Sequence, residues 1–173
     1  MIDTIYLDMD GVIADFDKHY SSIYGCYCRD DPNTNNWYDF VDKKGFANLP
    51  MCADSLLLVQ GLSLLDVQIE ILSCVSDRSN SRLVEAQKIL WLENKGFGSL
   101  NHHFTLTKNA KSFFANENSL LIDDSEACTN PFKDAGGYAI LHKNAKTSIL
   151  EINCMIEKGL LCAQSSDQKI LIH

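Results

Sequence analysis

The chain has 173 residues and a formal net charge of −8, with 46% hydrophobic and 22% charged residues. This size and composition are typical of one globular domain with room for a small insertion, and they exclude a disordered or collagen-like chain. The net negative charge argues against nonspecific nucleic-acid binding, which needs a basic surface. An anionic small substrate would need a cation to bridge it to such a chain, so a divalent metal is a candidate cofactor.

The location of the protein is indicated by what the sequence lacks. No run of about 18 apolar residues is present, so we expect no transmembrane helix. The N-terminal residues lack the basic and apolar regions of a signal peptide. Seven scattered cysteines in a chain of this size indicate reduced thiols and a cytoplasmic location. Zinc is disfavoured, because Cys26-x-Cys28 lacks the usual ligand spacing and His102 and His103 in a strand would point to opposite faces.

Five short apolar runs predict strands that are buried on both faces of a parallel sheet. In chain order these runs are Thr4–Leu7, Val67–Leu72, His103–Leu106, Ser119–Ile122 and Tyr138–Leu141. Helical patterns lie between and after them, at Asp54–Leu65, Ser81–Asn94, Ala110–Ala115 and Ala145–Glu157. The alternation of strands and helices predicts βαβ units, and Lys169–Ile172 is a further candidate strand.

Two of these helical patterns depend on the spacing of apolar residues. Ser81–Asn94 is assigned as a helix from its apolar residues at 83, 86, 89 and 90. In Ala145–Glu157, Ile149, Ile152 and Ile156 lie on one side, and Gly159 ends the helix.

The stretch from about Phe16 to Cys52 interrupts this alternation, because it is polar and aromatic and contains no clear strand. It predicts an insertion after the first strand that is long enough for a small helical lid. Its aromatic residues either form a small core of their own or stack on a substrate. These residues are Tyr20, Tyr24, Tyr27, Trp37, Tyr38, Phe40 and Phe46.

Pairs of carboxylates follow two of the predicted strands. Asp8 and Asp10, with Gly11 behind them, follow the first, and Asp123 and Asp124 follow the fourth. Ligands of parallel sheets bind beyond the carboxyl ends of the strands. Carboxylates gathered there are tolerated only if a cation neutralises them, and hard oxygen ligands favour Mg²⁺. Taken alone, each pair is also a common acidic surface turn.

A hydroxyl and a lysine complete the candidate site. Ser73 ends the second strand, where it could donate a hydrogen bond to a phosphate oxygen, although many strands end in serine. Lys108 and Lys111 precede the acidic strand, and an ammonium there would neutralise a phosphoryl oxygen. Taken alone, such a lysine is usually a solvated helix residue. The choice between the two lysines stays open, with Lys111 favoured because a short helix beginning there starts at the sheet edge.

The motifs in this order resemble those of the haloacid dehalogenase-like (HAD) phosphohydrolase superfamily, over about residues 3 to 142. The stretches DMDGVIADFD at 8–17 and LLIDD at 120–124 look most similar to the 5'(3')-deoxyribonucleotidase branch. The resemblance implies a Rossmann-like three-layer α/β sandwich with a parallel sheet of order 5-4-1-2-3 and a small helical cap inserted after strand 1. It divides the chain into a catalytic core at 1–16 and 61–173 and a cap at 17–60.

The resemblance also implies the roles of the acidic residues. Asp8 would be the nucleophile that forms an aspartyl-phosphate, and Asp10 would act first as general acid and then as general base. Mg²⁺ would be held by Asp8, Asp123 and the backbone carbonyl of Asp10. Asp124 would bind the ion through water or orient the site.

The substrate-binding residues are implied in the same way. Ser73 and Lys111 would bind the phosphoryl oxygens. The predicted substrate contacts follow the first two strands or lie in the insertion: Phe16, Trp37, Ser73, Cys74 and Arg78. The chain also departs from the branch, since Ser125 replaces a basic residue that often follows the second Asp pair. Cys74 stands where a second small hydroxyl is common.

The residues, together with what the resemblance implies, predict a cytoplasmic, Mg²⁺-dependent phosphomonoester hydrolase of the 5'-nucleotidase type that acts on (deoxy)nucleoside monophosphates. A homodimer is compatible with this prediction, and no membrane or nonspecific nucleic-acid partner is expected. Three alternatives stay open: a phosphatase or phosphotransferase of another small phosphorylated metabolite, a nucleic-acid 3'-phosphatase, and a catalytically silent binding module of the same fold. A dehalogenase is disfavoured, because carbon–halogen displacement needs no general acid such as Asp10.

Overall fold

The computed structural model describes residues 1–76 and 80–164, which form a five-stranded sheet flanked by helices. The strands are β1 Thr4–Leu7, β2 Gln68–Cys74, β3 His102–Thr105, β4 Ser119–Asp123 and β5 Tyr138–Leu141. The α-helices of this part of the chain are α1 Phe16–Tyr24, α2 Thr34–Asp42, α3 Ser55–Leu62, α4 Ser81–Asn94, α5 Glu126–Asp134 and α6 Ala145–Glu157. Short 3₁₀ helices lie at Cys28–Asp30, Phe46–Asn48 and Asn109–Phe114.

The strands are all parallel, in the order β3-β2-β1-β4-β5, which confirms the predicted order 5-4-1-2-3. β1 lies at the centre, because Leu7 is level with Ile71 of β2 on one side and with Ile122 of β4 on the other. The carboxyl ends of β1, β2 and β4 therefore meet at one edge of the sheet. That edge is where a parallel α/β sheet binds its ligands.

Helices cover both faces of the sheet, which confirms the three-layer α/β sandwich. Ile5, Leu7 and Ile71 belong to the larger buried cluster, together with apolar residues of α3, α4 and α6. Leu121 and Phe132 belong to the smaller cluster on the other face, which α5 and the 3₁₀ helix Asn109–Phe114 cover. The larger cluster also includes aromatic residues of the insertion, so the main core continues from the sheet into that segment.

Several predicted elements have the observed bounds, and one was missed. β1, β5 and α6 coincide with the predicted Thr4–Leu7, Tyr138–Leu141 and Ala145–Glu157. No helix was predicted at α5, because the segment is mostly polar and contains Pro131, which lacks a backbone donor. α5 forms because Cys128, Thr129 and Phe132 bury one face of it against the sheet and the neighbouring 3₁₀ helix.

The buried face of α4 differs from the apolar pattern by which the helix was predicted. Leu83 and Leu90 are 45% and 43% exposed. The buried residues are instead Val84, Gln87, Lys88, Trp91 and Leu92. The helix thus buries three apolar side chains together with Gln87 and Lys88, whose polar groups have hydrogen-bond partners in the interior.

The insertion begins with α1, whose N-terminus is capped by the Asp15 carboxylate, which accepts a hydrogen bond of 3.3 Å from the Lys18 amide. Its aromatic residues pack together, and the rings of Phe16 and Phe46 stack with centroids 5.3 Å apart. α3, at the end of the predicted cap, packs against α6 of the core. The predicted division at residues 16/17 and 60/61 stays a prediction.

Two of the predicted features lie outside the described residues, namely Arg78 and the terminal strand Lys169–Ile172. Among the described residues, no helix has both the length and the apolar character that crossing a bilayer requires.

Candidate active site

The turn after β1 brings two carboxylates and a glycine to the edge of the sheet. The Asp8 amide donates a 3.0 Å hydrogen bond to the Ile122 carbonyl, so Asp8 extends β1 and lies beside Asp123. Gly11 has φ +79°, and a Cβ atom there would lie 2.1 Å from Oδ2 of Asp124. A glycine is therefore needed at this position both for the left-handed turn and for the close approach of the Asp124 carboxyl.

Three carboxylates cluster at this edge and fit a divalent cation. Asp8, Asp123 and Asp124 each offer an oxygen within 4.8 Å of the others, and no second group of this kind is found in residues 1–76 and 80–164. Loss of hydration, together with the charges of Asp8 and Asp123, raises the pKa of Asp124 to about 7. Hard oxygen donors that repel one another in this way are a suitable ligand set for Mg²⁺.

One buried ammonium balances part of this negative charge. The Nζ atom of Lys111 lies 2.8 Å from Oδ1 of Asp8 and 2.6 Å from Oδ2 of Asp123. Burial would lower the pKa of Lys111, but the two carboxylates outweigh burial and raise it, so the lysine is charged. Burial would raise the pKa of Asp8, but Lys111 and the more distant Lys88 hold it below its ordinary value. Asp8 is therefore an ionised carboxylate, as a nucleophile must be.

Asp10 lies in a different environment from Asp8, because its partner is a second buried lysine. Lys88 of α4 is fully buried, and its Nζ atom lies 2.6 Å from Oδ2 of Asp10. Burial raises the pKa of Asp10 and the charge of Asp8 adds to this effect, although Lys88 acts in the opposite direction. Neighbouring carboxylates whose pKa values are moved in opposite directions are suited to different roles, one as nucleophile and one as proton carrier.

A cavity of about 530 Å³ opens above these groups and has a polar floor and an aromatic wall. The floor consists of the residues that follow β1 and β4, and the wall includes Phe16, Trp37 and Phe46 of the insertion. Asp17 and Arg29 also line it and form an ion pair of 2.9 Å. A volume of this size is typical of a site for a small molecule.

Most of the predicted site residues line this cavity: Asp8, Asp10, Phe16, Trp37, Cys74, Lys111, Asp123 and Asp124. Lys108 also lines it, on the exposed side, and donates a 3.1 Å hydrogen bond to Oγ of Ser125. Lys111 is the lysine buried among the carboxylates. Tyr38 is exposed and is not part of the cavity wall.

Ser73 is fully buried and is not among the residues that line the cavity. β1 and β2 are paired in parallel, with Leu7 level with Ile71, so Ser73 lies level with Met9 rather than with Asp8. Since side chains alternate along a strand, Ser73 faces α4, where its Oγ lies 2.9 Å from Nζ of Lys88. A phosphate-binding role for Ser73 stays a prediction.

The polar residues of α4 were not predicted from the sequence to belong to the site. Gln87 accepts a 3.2 Å hydrogen bond from the Phe46 amide and donates one of 2.6 Å to the Val41 carbonyl. Trp91 Nε1 donates a 2.7 Å hydrogen bond to the Leu49 carbonyl. α4 therefore holds the backbone of the insertion in place. The sequence contained one indication that Lys88 is buried. Lys88 follows Val84 by four residues and precedes Trp91 by three, and this spacing puts it on the same face of the helix as two apolar residues.

The comparisons with known proteins support the fold. No protein-family model matches the chain, and no curated protein matches it in sequence. Among solved structures, a hydrolase from Streptococcus pneumoniae TIGR4 is 10% identical, with a TM-score of 0.55, and the match covers 90% of this chain and 98% of that one. A HAD family hydrolase from Deinococcus radiodurans R1, with bound phosphate and sodium, is 12% identical with a TM-score of 0.55, covering 92% and 97%.

A third similar structure is L-2-haloacid dehalogenase from Xanthobacter autotrophicus, which is 12% identical with a TM-score of 0.52. This match covers 96% of the present chain and 91% of the other. The likeness over nearly the full length, with the observed strand order, shows that the chain has the fold of the HAD hydrolases.

Proposed function

We propose that the protein is a Mg²⁺-dependent phosphomonoester hydrolase that acts through an aspartyl-phosphate on Asp8. The observation that carries this proposal is the pairing of Asp8 with buried Lys111 beside Asp123 and Asp124, on the floor of a cavity. Attack by a carboxylate on a phosphate dianion requires nearby positive charge, which this arrangement is suited to provide.

The proposed reaction has two steps, both performed by residues of the first turn. In the first, a carboxylate oxygen of Asp8 forms a bond to phosphorus, the ester P–O bond breaks, and the leaving oxygen takes the proton of Asp10. In the second, Asp10 takes a proton from a water whose oxygen bonds to phosphorus, and the Asp8–phosphorus bond breaks. Lys111 keeps Asp8 ionised and neutralises charge at the phosphoryl group.

The metal would be held by Asp8, Asp123 and Asp124, whose mutual repulsion it would relieve. When bound, Mg²⁺ supplies electrostatic stabilisation of the phosphoryl oxygens. The part assigned to Asp10 in metal binding depends on its backbone carbonyl, since its side chain is paired with Lys88. The phosphate and sodium bound to the Deinococcus radiodurans hydrolase are compatible with a site for an anion and a cation in this fold.

The substrate that we propose is a (deoxy)nucleoside monophosphate. Phe16 and Trp37 give the cavity an aromatic wall, and aromatic rings stack on bases with about 1–3 kcal/mol per base. Phe40, by contrast, is buried among Phe16, Tyr20 and Phe46, so the aromatic residues of the insertion form both a small core and a cavity wall. We also propose a reducing, cytoplasmic location, since all seven cysteines are free thiols.

The test is a hydrolysis panel of nucleoside 5'- and 3'-monophosphates, sugar phosphates and an oligonucleotide 3'-phosphate, each with and without Mg²⁺. We expect Mg²⁺-dependent release of phosphate from the mononucleotides, and at least about a 10³-fold loss in Asp8→Asn because the nucleophile is removed. Asp42→Asn is the matched control, since Asp42 is an exposed carboxyl outside the cavity.

Each other outcome favours one of the alternatives. Preference for sugar phosphates would indicate a phosphatase or phosphotransferase of another metabolite, and preference for the oligonucleotide a nucleic-acid 3'-phosphatase. No turnover of any ester would favour a silent binding module. Full activity in Asp8→Asn would refute the aspartyl-phosphate mechanism. Light scattering measures separately whether the protein forms the homodimer that is compatible with the sequence.

A further inference from the structure

Lys88 of α4 has no role in the two proposed steps, yet its ammonium contacts the proposed proton carrier Asp10. Its Nζ atom lies 2.6 Å from Oδ2 of Asp10, 2.9 Å from Oγ of Ser73 and 2.8 Å from the carbonyl of Cys74. An ammonium has three N–H donors, and these three acceptors occupy all of them. Lys88 therefore has no donor left for a phosphoryl oxygen, which distinguishes it from Lys111.

The contact with Lys88 makes the two oxygens of Asp10 different. Oδ2 is held by the ammonium, whereas Oδ1 is buried and has no hydrogen-bond partner among the residues that the structure describes. An unpartnered buried carboxyl oxygen is costly unless a ligand or a proton uses it. Asp10 lines the cavity and 28% of its side chain is exposed, so its carboxyl can exchange a proton with a substrate or a water molecule.

Lys88 is itself held firmly from both sides. Its neighbour Gln87 is hydrogen-bonded to the backbone at Val41 and Phe46, and the Phe46 ring centroid lies 5.3 Å from Nζ of Lys88. The contacts with Ser73 and Cys74 join the same ammonium to the end of β2. The position of the Asp10 carboxyl is therefore set jointly by the sheet and by the insertion, through one buried charge.

We propose that Lys88 is a positioning residue that directs the carboxyl of Asp10 to the reacting oxygens. This inference rests on the proposed function. In the first step the proton of the Asp10 carboxyl passes to the leaving oxygen as the ester P–O bond breaks and the Asp8–phosphorus bond forms. In the second step the Asp10 carboxylate takes a proton from the water that bonds to phosphorus as the Asp8–phosphorus bond breaks. Lys88 keeps its own protons throughout and contacts neither substrate nor water.

The test exploits the dependence of general-acid catalysis on the leaving group. A nucleoside alkoxide needs a proton as it leaves, whereas p-nitrophenolate leaves readily without one. Lys88→Met keeps the length of the side chain and removes its charge. We expect the rate of alcohol release in the first turnover to fall at least about 100-fold with a nucleoside monophosphate and less than about tenfold with p-nitrophenyl phosphate. Asp10→Asn is expected to show the same split.

A double variant separates positioning from other roles. If Lys88 acts through Asp10, Lys88→Met/Asp10→Asn releases both alcohols at the rates of Asp10→Asn alone. The double variant removes both buried charges together, so it also decides the question if Lys88→Met does not fold. Urea unfolding of each variant is measured in parallel.

Two results would overturn the inference. Equal losses with both esters in Lys88→Met would mean that Lys88 serves the phosphoryl group or the fold as a whole. A double variant more than about tenfold slower than Asp10→Asn would assign Lys88 a role independent of Asp10. Failure of the wild-type protein to release either alcohol would instead refute the proposed function, and this inference with it.

Discussion

Replacing Gln87 with methionine tests whether α4 holds the insertion in place. The side chain keeps its volume but loses both hydrogen bonds to the insertion backbone. The Phe46 amide is left without a partner in the described structure, which costs about 1–3 kcal/mol. The Val41 carbonyl still accepts a 2.9 Å hydrogen bond from the Lys44 amide, so its loss is that of one ordinary bond, about 0.5–1.5 kcal/mol. We therefore expect the free energy of unfolding to fall by about 1.5–4.5 kcal/mol.

Urea denaturation followed by circular dichroism measures this change, and limited proteolysis reports where the chain opens. We expect cleavage within residues 25–50 to accelerate more than cleavage elsewhere. Gln60→Met is the matched control, because Gln60 is exposed on α3. A change below about 0.5 kcal/mol in Gln87→Met, the level of an ordinary surface substitution, would refute the anchoring role of α4.

Two further predictions concern the carboxylates. Gly11→Ala would place a Cβ atom 2.1 Å from Oδ2 of Asp124, so we expect at least about a tenfold loss of Mg²⁺ affinity by calorimetry. Gly25→Ala has a similar φ of +77° with open space around it, so a comparable loss there would show that backbone strain alone is responsible. Burial would raise the pKa of Glu70, but hydrogen bonds from Asn101 and His103 hold it below its ordinary value of 4.5. The contribution of Glu70 to the free energy of unfolding is therefore present above pH 4.5 and is lost as the pH falls through the lowered pKa. We therefore expect the free energy of unfolding in urea to depend less on pH in Glu70→Gln than in the wild type, over the acidic range in which Glu70 titrates. An unchanged pH dependence would contradict the lowered pKa of Glu70.

The sequence predicted the parts of the site that depend on the sheet. Apolar strands followed by Asp8 and by Asp123 are recognisable in a single sequence, and the geometry of a parallel sheet brings their ends together. Lys111 was accessible in the same way, because it lies only 12 residues before Asp123. These contacts connect strand ends, or residues close to them, whose positions follow from topology alone.

The contacts that were missed depend on helix orientation and side-chain direction. Asp10 and Lys88 are 78 residues apart, and their pairing depends on which face of α4 turns inward. The apolar residues at 83, 86, 89 and 90 indicated a helix but not its buried face, which carries Gln87 and Lys88 while Leu83 and Leu90 are exposed. Ser73 lies level with Met9 rather than with Asp8, and this shift of one residue decides which face of the sheet its side chain points to. A motif at the end of a strand does not reveal such a shift.

The insertion is synthesised before α4, the helix that anchors it. Proteins emerge from the ribosome N-terminus first, at about 5–20 residues per second. Trp91 follows its acceptor Leu49 by 42 residues, so the insertion waits about 2–8 s for the helix that anchors it. During this interval the Phe46 ring lacks its later contact with α4. The nascent chain therefore exposes aromatic surface of the insertion before its sheet is complete, and a chaperone that binds apolar segments would act at this stage.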